Sequence, residues 1–226
     1  MPRPSRPYPG IGRHRPTVVG ASDTLWRMGI IATDGDLIVR RLLDERPDYA
    51  LISRWRAEPH VHEWWDPDDP PPSTEEAEAQ YGPSARGEEP TTPCIIELAG
   101  KPIGYLQFYR WLRWSDAAEE LDIRADADTF GIDLYIGEPD LVGVGIGTHV
   151  VDLICRHLET ALGASWVALT TEITNERAQR AYEKAGFSKV RRVLDTDTRD
   201  GERVRCWLME RRGTPIGRLD GEATRP

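Results

Sequence analysis

The sequence predicts one α/β (α+β) domain, a central mixed and mostly antiparallel sheet flanked by helices. Three observations predict it. Segments of strand and helix periodicity interleave along the chain. Two strand-like runs on either side of Gly100 are joined closely enough to form a hairpin. Ile146, Val150, Val151, Ile154, Leu158 and Leu162 recur at helical spacing, forming an amphipathic helix between two further strand-like runs.

The first strand is read over residues 37–43, Leu-Ile-Val-Arg-Arg-Leu-Leu. A helix over 47–57 follows, in which Tyr49, Leu51, Ile52 and Trp55 share an apolar side. Beyond a loop rich in proline and acid, Ser73-Thr-Glu-Glu offers a capping box, because the Ser73 hydroxyl accepts a backbone N–H while Glu76 reaches back. That helix is expected to run to about Tyr81. Residues 94–98 and 103–111 form the hairpin, with Gly100 supplying the turn, and 130–136 is another strand. The long helix ends near Gly163. Residues 166–170 read as a buried strand, 175–185 as a short helix stopped by Gly186, and 190–194 with 204–209 as a closing strand pair. Residues 1–27 mix proline and arginine without either period and read as a disordered extension, with Met28 a candidate true start. The domain is expected over 28–211 and a tail over 212–226.

A chain of 226 residues, 39% hydrophobic and 30% charged, has room for a core and is neither a disordered nor a fibrous protein. It lacks the roughly eighteen uncharged apolar residues of a spanning helix and the apolar core of a secretory signal, so a cytoplasmic protein with no membrane partner is expected. Cys94, Cys155 and Cys206 are scattered without metal-ligand spacing, which fits a reducing compartment. The net charge of −9 argues against nucleic acid as a partner. Between Glu58 and Asp140 there are 20 acidic and 5 basic residues, a local net of −15. Such a segment is either a solvated surface or an electrostatic funnel for a cationic ligand.

Gly143, Gly145 and Gly147 alternate with Val144, Ile146 and Thr148 ahead of the long helix. They make either a plain turn or an anion cradle of backbone N–H groups at a positive helix end. Neither the dinucleotide fingerprint nor the Walker A pattern is met. Asp133, on the strand Gly-Ile-Asp-Leu-Tyr-Ile, alternates away from Ile132 and Leu134, so it shares a face with Tyr135. His60, His62 and Glu63 lack a third ligand at a suitable position, so no metal is expected. His149 and His157 read as structural or exposed. Trp64 and Trp65 anchor a loop or, beside Asp66, Asp68 and Asp69, offer a stacking surface for a sugar.

The strand, glycine loop, long helix and strand, followed by Asn175-Glu-Arg-Ala-Gln-Arg-Ala-Tyr-Glu-Lys-Ala-Gly-Phe187, resemble the GNAT superfamily of acyl-CoA-dependent N-acyltransferases. Within residues 36–211, His62-Glu-Trp-Trp65, Gln80-Tyr81, Thr92-Pro93, Gly100-Lys-Pro-Ile-Gly-Tyr105, Gly131-Ile-Asp133 and Tyr182-Glu-Lys-Ala-Gly-Phe187 resemble, in order and spacing, the aminoglycoside 6'-N-acetyltransferases. The resemblance implies acetyl-CoA as cosubstrate and a small polycationic aminoglycoside as acceptor. It implies a diphosphate held by the amides of Gly143, Val144, Gly145, Ile146, Gly147 and Thr148, and a pantetheine arm along Leu134, Tyr135 and Ile136, with Asn175 nearby. Asp133 would bind the amine and take or relay its proton, and Tyr182 would protonate the departing thiolate. Trp64, Trp65, Asp66, Asp116, Asp133 and Glu172 are the expected acceptor contacts. Thr170 stands where enzymes of this type carry an aspartate, and Glu172 is the expected substitute. A hydroxylysine-type siderophore precursor as acceptor, and a non-catalytic acyl-CoA-binding module, are the alternatives. Monomer and dimer are both open.

Overall fold

The computed structural model describes residues 29–67, 69–195 and 203–213. The expected extension over 1–27, Met28 as a start, Asp68 and the tail beyond 213 lie outside the described residues.

The chain builds β1 (Ile30–Asp34), β2 (Leu37–Arg41), β3 (Thr92–Leu98), β4 (Lys101–Arg110), β5 (Thr129–Ile136), β6 (Trp166–Glu172), β7 (Ser188–Asp195) and β8 (Val204–Arg212). They form one sheet in the order β1-β2-β3-β4-β5-β6-β8-β7, in which only β5 and β6 are parallel. The helices are α1 (Arg46–Arg56), α2 (Pro59–His62), α3 (Thr74–Ala85), α4 (Ser115–Glu120), α5 (Ile146–Leu162) and α6 (Glu176–Lys184). Trp111–Trp114 and Pro139–Leu141 are 3-10 turns. The mixed, mostly antiparallel sheet is the expected one.

Period-2 alternation assigns the two faces of the sheet. Leu106 and Phe108 of β4 and Phe130 and Ile132 of β5 pack with Val150, Val151, Ile154 and Leu158 of α5 on one face. Tyr105 of β4 and Tyr135 of β5 pack on the other, with Tyr49, Ile52 and Trp55 of α1 and Ala77 and Tyr81 of α3. A third cluster joins Trp111, Ala118 of α4, Leu121 and Ile123 to Ala168 of β6 and Leu208 of β8. The second and third clusters leave a gap over β4, β5 and β6, and that gap is the site.

Several expectations shift. β1 was not anticipated: none of its residues is fully buried, because it is the outer strand of the sheet, and its apolar run is short. The capping box at Ser73 and Glu76 forms with both hydrogen bonds, at 3.2 and 2.8 Å. The helix nevertheless continues past Tyr81 to Ala85 and carries Pro83 inside it. A proline so near the end removes little of the remaining helical ladder, and Tyr81 is held by Arg56 Nη1 at 3.1 Å and by the Tyr105 ring. Trp111, read as the end of a strand, opens a 3-10 turn instead, and this turn and α4 fill the interval before 130 where no element was anticipated. β8 continues to Arg212, so the sheet extends one residue past the expected boundary at 211.

The end of β5 is fixed by a close approach. Gly137 lies against the Trp55 ring, and an added Cβ would come within 2.1 Å of it. Trp55 is buried and its Nε1 donates to Glu138 at 2.9 Å, so the ring has nowhere to go. Gly137→Ala is therefore expected to lower stability by about 1–3 kcal/mol, the usual scale of overpacking. Denaturant unfolding monitored by tryptophan fluorescence reads it, and a midpoint equal to that of the parent chain would contradict this packing.

Candidate active site

β5 and β6 pair at Thr129–Trp166 and Phe130–Val167 and then part. Beyond Phe130 the β6-facing edge of β5 has no strand beside it, and the split opens into a cleft of about 960 Å³. Its walls come from the segment after α2, from α3, from the Trp111–Trp114 turn, from the glycine loop and from α6. Asp133, Leu134, Tyr135, Ile136, Gly143, Gly145, Gly147, Thr148 and Asn175 line it, with Trp64, Trp65, Asp66, Glu172 and Tyr182. The structure thus brings together most of the residues expected from sequence.

Asp133 is the best-defined group. Cross-strand register sets Tyr105 against Tyr135, Gln107 against Asp133 and Tyr109 against Gly131 on one face of the sheet. The Tyr105 hydroxyl donates to Gln107 Oε1 at 2.8 Å, and Gln107 Nε2 donates to Asp133 Oδ2 at 2.9 Å. Each donor and acceptor of the Gln107 amide is thereby oriented, and the Asp133 carboxyl is held in place. Burial pushes that carboxyl up to about 6, the Gln107 and Tyr109 side chains hold it down, and the Asp195 charge adds to the rise. Gly131 matters because the Tyr109 ring lies over it, 2.4 Å from where a Cβ would stand.

Tyr182 enters from α6, buried beside Phe187 with ring centroids 5.6 Å apart. Its phenol is raised above the ordinary range, by burial first and then by the charges of Asp133 and Cys155, so it holds its proton at neutral pH. It combines packing with a polar end near Asp133.

The glycine loop presents backbone donors at one end of the cleft. Gly143 and Gly145 have φ of +79° and +96°, conformations costly for residues with a Cβ. Gly145 is the N-cap of α5 and offers no side chain to its amides. The His149 amide donates to the Gly145 carbonyl at 3.2 Å, which leaves the amides of 146–148 without helical acceptors. These amides, and Arg177, Arg180 and Lys184 on the facing wall, suit a diphosphate. The three α6 cations were missed in the sequence, where the motif drew attention to Asn175 and Tyr182. Val144, 63% exposed, and Ile146, whose side chain packs on the core, are not part of the cleft lining, unlike Gly143, Gly145, Gly147 and Thr148.

Several expected roles change. Asp66 binds Arg56 at 2.6 Å, so its charge is already neutralised. Trp65 stands edge-on to Tyr105 and Tyr135, at 5.8 and 4.9 Å, and so anchors the loop as well as lining the cleft. Asp116, exposed on α4, is not part of the lining, whereas Trp114, 44% exposed, and Ala117 are. The Asn175 side chain accepts from the Ala178 amide at 3.1 Å as the N-cap of α6. Glu172 lines the cleft and accepts from Thr174 at 3.2 Å. Thr170 donates to Asp195 of β7, a carboxylate not anticipated because β7 is remote in sequence. His60 Nε2 lies 2.9 Å from the Ile136 carbonyl at the end of β5. No His/Cys/Asp/Glu group among the described residues is arranged to hold a metal, and no helix among them is long and apolar enough to cross a membrane.

A family model described as an acetyltransferase (GNAT) domain matches residues 44–195. An aminoglycoside N(6')-acetyltransferase type 1 from Klebsiella pneumoniae is 32% identical over 171 residues, 76% of this chain and 84% of that protein. Among solved structures, AAC(6')-Ib in complex with parmomycin and acetyl-CoA superposes with a TM-score of 0.68 at 27% identity, covering 83% of this chain and 99% of that one. A spermidine N-acetyltransferase from Vibrio cholerae in complex with CoA and spermine shares the fold, with a TM-score of 0.61 at 17% identity, covering 80% of this chain and 97% of that one.

The raised carboxyl has a consequence for stability. A folded-state value near 6 against an ordinary 3.8 means that the fold favours protonated Asp133. The stability this contributes is full below about pH 4 and is lost as pH rises through 6. Asp133→Asn is expected to melt several degrees above the parent chain at pH 8, with the gap closing toward pH 4. Thermal melts across that range check it, and a gap independent of pH would contradict the burial of this charge.

Proposed function

The chain belongs to the GNAT acetyltransferase family, and from that premise we propose that it transfers the acetyl group of acetyl-CoA to the 6'-amine of an aminoglycoside. The observation that carries the reading is Asp133, oriented by Gln107 at 2.9 Å and set beside the unpaired edge of β5 in a cleft whose other end offers helix-terminal amides. Acetyl-CoA supplies the thioester. The amides of 146–148 with Arg177, Arg180 and Lys184 suit its diphosphate, and the edge at Leu134, Tyr135 and Ile136 suits an amide-bearing arm laid alongside as an added strand.

Asp133 binds the acceptor ammonium and removes or relays its proton, since only the neutral amine has a lone pair to attack with. The new N–C bond forms at the acyl carbon, while a backbone N–H of residues 134–136 holds the developing oxyanion. The C–S bond then breaks, Tyr182, which keeps its proton at neutral pH, gives it to the leaving thiolate, and the second proton shed by the nitrogen as the amide forms restores the phenol. The acidic surroundings suit a polycation, and the product carries one positive charge fewer.

Incubation with acetyl-CoA and acceptors bearing either a 6'-amine or a 6'-hydroxyl tests the reaction. Mass spectrometry and NMR should find acetate on the 6'-nitrogen of the former and no product from the latter, which presents a weaker nucleophile without charge. Acetylation at another amine would overturn the regiochemistry. Asp133→Asn should lower kcat/KM by about two to four powers of ten, with the parent's kcat/KM falling as pH drops through about 6. Tyr182→Phe should lower kcat more than it changes KM. Parent-like turnover in both variants would remove the assigned roles.

A further inference from the structure

Two aspartates of the cleft meet no cation among the described residues. Among the described residues, neither Asp133 nor Asp195 forms an ion pair, although neighbouring groups do: Arg56 takes Asp66, and Arg180 takes Glu176. Asp195 closes β7 and lines the cleft together with Thr170, Glu172 and Cys206. On β6 the face is set by alternation: Ala168 belongs to the third cluster with Leu208, and Thr170 follows it on that side. Val193 packs against the same cluster, and Asp195 follows it by the same rule. The Thr170 hydroxyl donates to Asp195 Oδ2 at 2.5 Å, holding the carboxylate at the cleft wall.

Around Asp133 stand Gln107 and Tyr109 from β4, Tyr182 from α6 and Asp195 from β7, with no cation among them. Among the described residues, Asp195 is the acidic group whose charge adds to the rise at Asp133. The like charge of Asp195 in the same cleft disfavours ionisation of Asp133 unless a ligand supplies positive charge. An acceptor with two ammonium groups meets that demand, one at the reacting nitrogen and one beside it.

We propose that Asp195, positioned by Thr170, is the second ammonium-binding carboxylate of the acceptor site and selects polycationic amines over monoamines. The inference rests on the acetyl-transfer reading for its choice of ligand. It assigns the role expected of Glu172 to a residue on a different strand. Asp195 contacts an amine that is not acetylated, so it sets acceptor affinity, while Asp133 serves the nitrogen that reacts.

The experiment uses the full chain, with kanamycin as acceptor and CoA as a control ligand, both followed by calorimetry. Asp195→Asn should weaken kanamycin binding at least about tenfold, as expected for a lost charge-assisted contact, and leave CoA affinity unchanged. Adding Thr170→Asp to that variant returns a carboxylate to the same wall and should recover most of the affinity. Asp195→Asn should also move the acid limb of kcat/KM to lower pH, because a like charge beside Asp133 is gone. Unchanged kanamycin affinity, an equal loss for CoA, or no recovery in the double variant would each overturn the inference. Parent protein that binds kanamycin without acetylating it overturns the reaction reading alone, while the binding comparison still decides the role of Asp195.

Discussion

The arrangement depends on the parting of two parallel strands. β5 and β6 share two residue pairs and then separate, so the β6-facing edge of β5 beyond Phe130 keeps backbone groups that no neighbouring strand takes up. An unpaired edge inside a sheet is costly unless water or a ligand occupies it. The separation is sustained from both sides. Tyr182 and Ala178 of α6 pack into the core beneath it, and above it Trp55 bears on Gly137 while His60 meets the Ile136 carbonyl. The same gap exposes the first turn of α5, so the free strand edge and the helix-terminal amides both arise from one departure from regular pairing.

A second constraint follows from the first. Asp133 sits next to that edge, buried among Gln107, Tyr109 and Tyr182, and an isolated carboxylate there is disfavoured. The Tyr105–Gln107–Asp133 chain of hydrogen bonds offsets part of this without supplying a positive charge. A cation in place of Gln107 would stabilise the carboxylate further, but it would also exclude any cationic ligand from it. A neutral amide orients the group and leaves its charge available. A carboxyl near 6 accepts a proton more readily than an ordinary aspartate and is still ionised at neutral pH.

Most of the sheet and the long helix were legible in the sequence because their signals are local. Alternation in β4 and β5, the helical stripe from Ile146 to Leu162, the capping box at Ser73 and the left-handed Gly163 each follow from a few neighbouring residues. Asp133, Tyr182 and the glycine loop were legible for the same reason, since each sits in a short motif on a well-patterned element. What could not be read depends on contacts remote in sequence. Asp66 looked available until Arg56, ten positions earlier, was seen to hold it. Asp195 reaches Thr170 across 25 residues, and only the order β6-β8-β7 brings those strand ends together. Trp114 faces the cleft because a 3-10 turn interrupts the chain after β4, in a stretch without apolar periodicity.

The cleft is lined by charges of both signs: Arg177, Arg180 and Lys184 on α6, and Glu89, Asp133, Glu172 and Asp195 on the sheet and the segment after α3. A polyanion and a polycation are drawn to different members of this set, because like charges repel. This field acts on the reaction as well as on binding. Converting an ammonium to an amide removes a positive charge, so among these carboxylates the acetylated product is held less tightly than the amine. Release is thus favoured by the chemistry itself. The neighbouring carboxylates continue to attract the remaining ammonium groups, so the number of charges left on the product, more than its size, sets how readily it leaves.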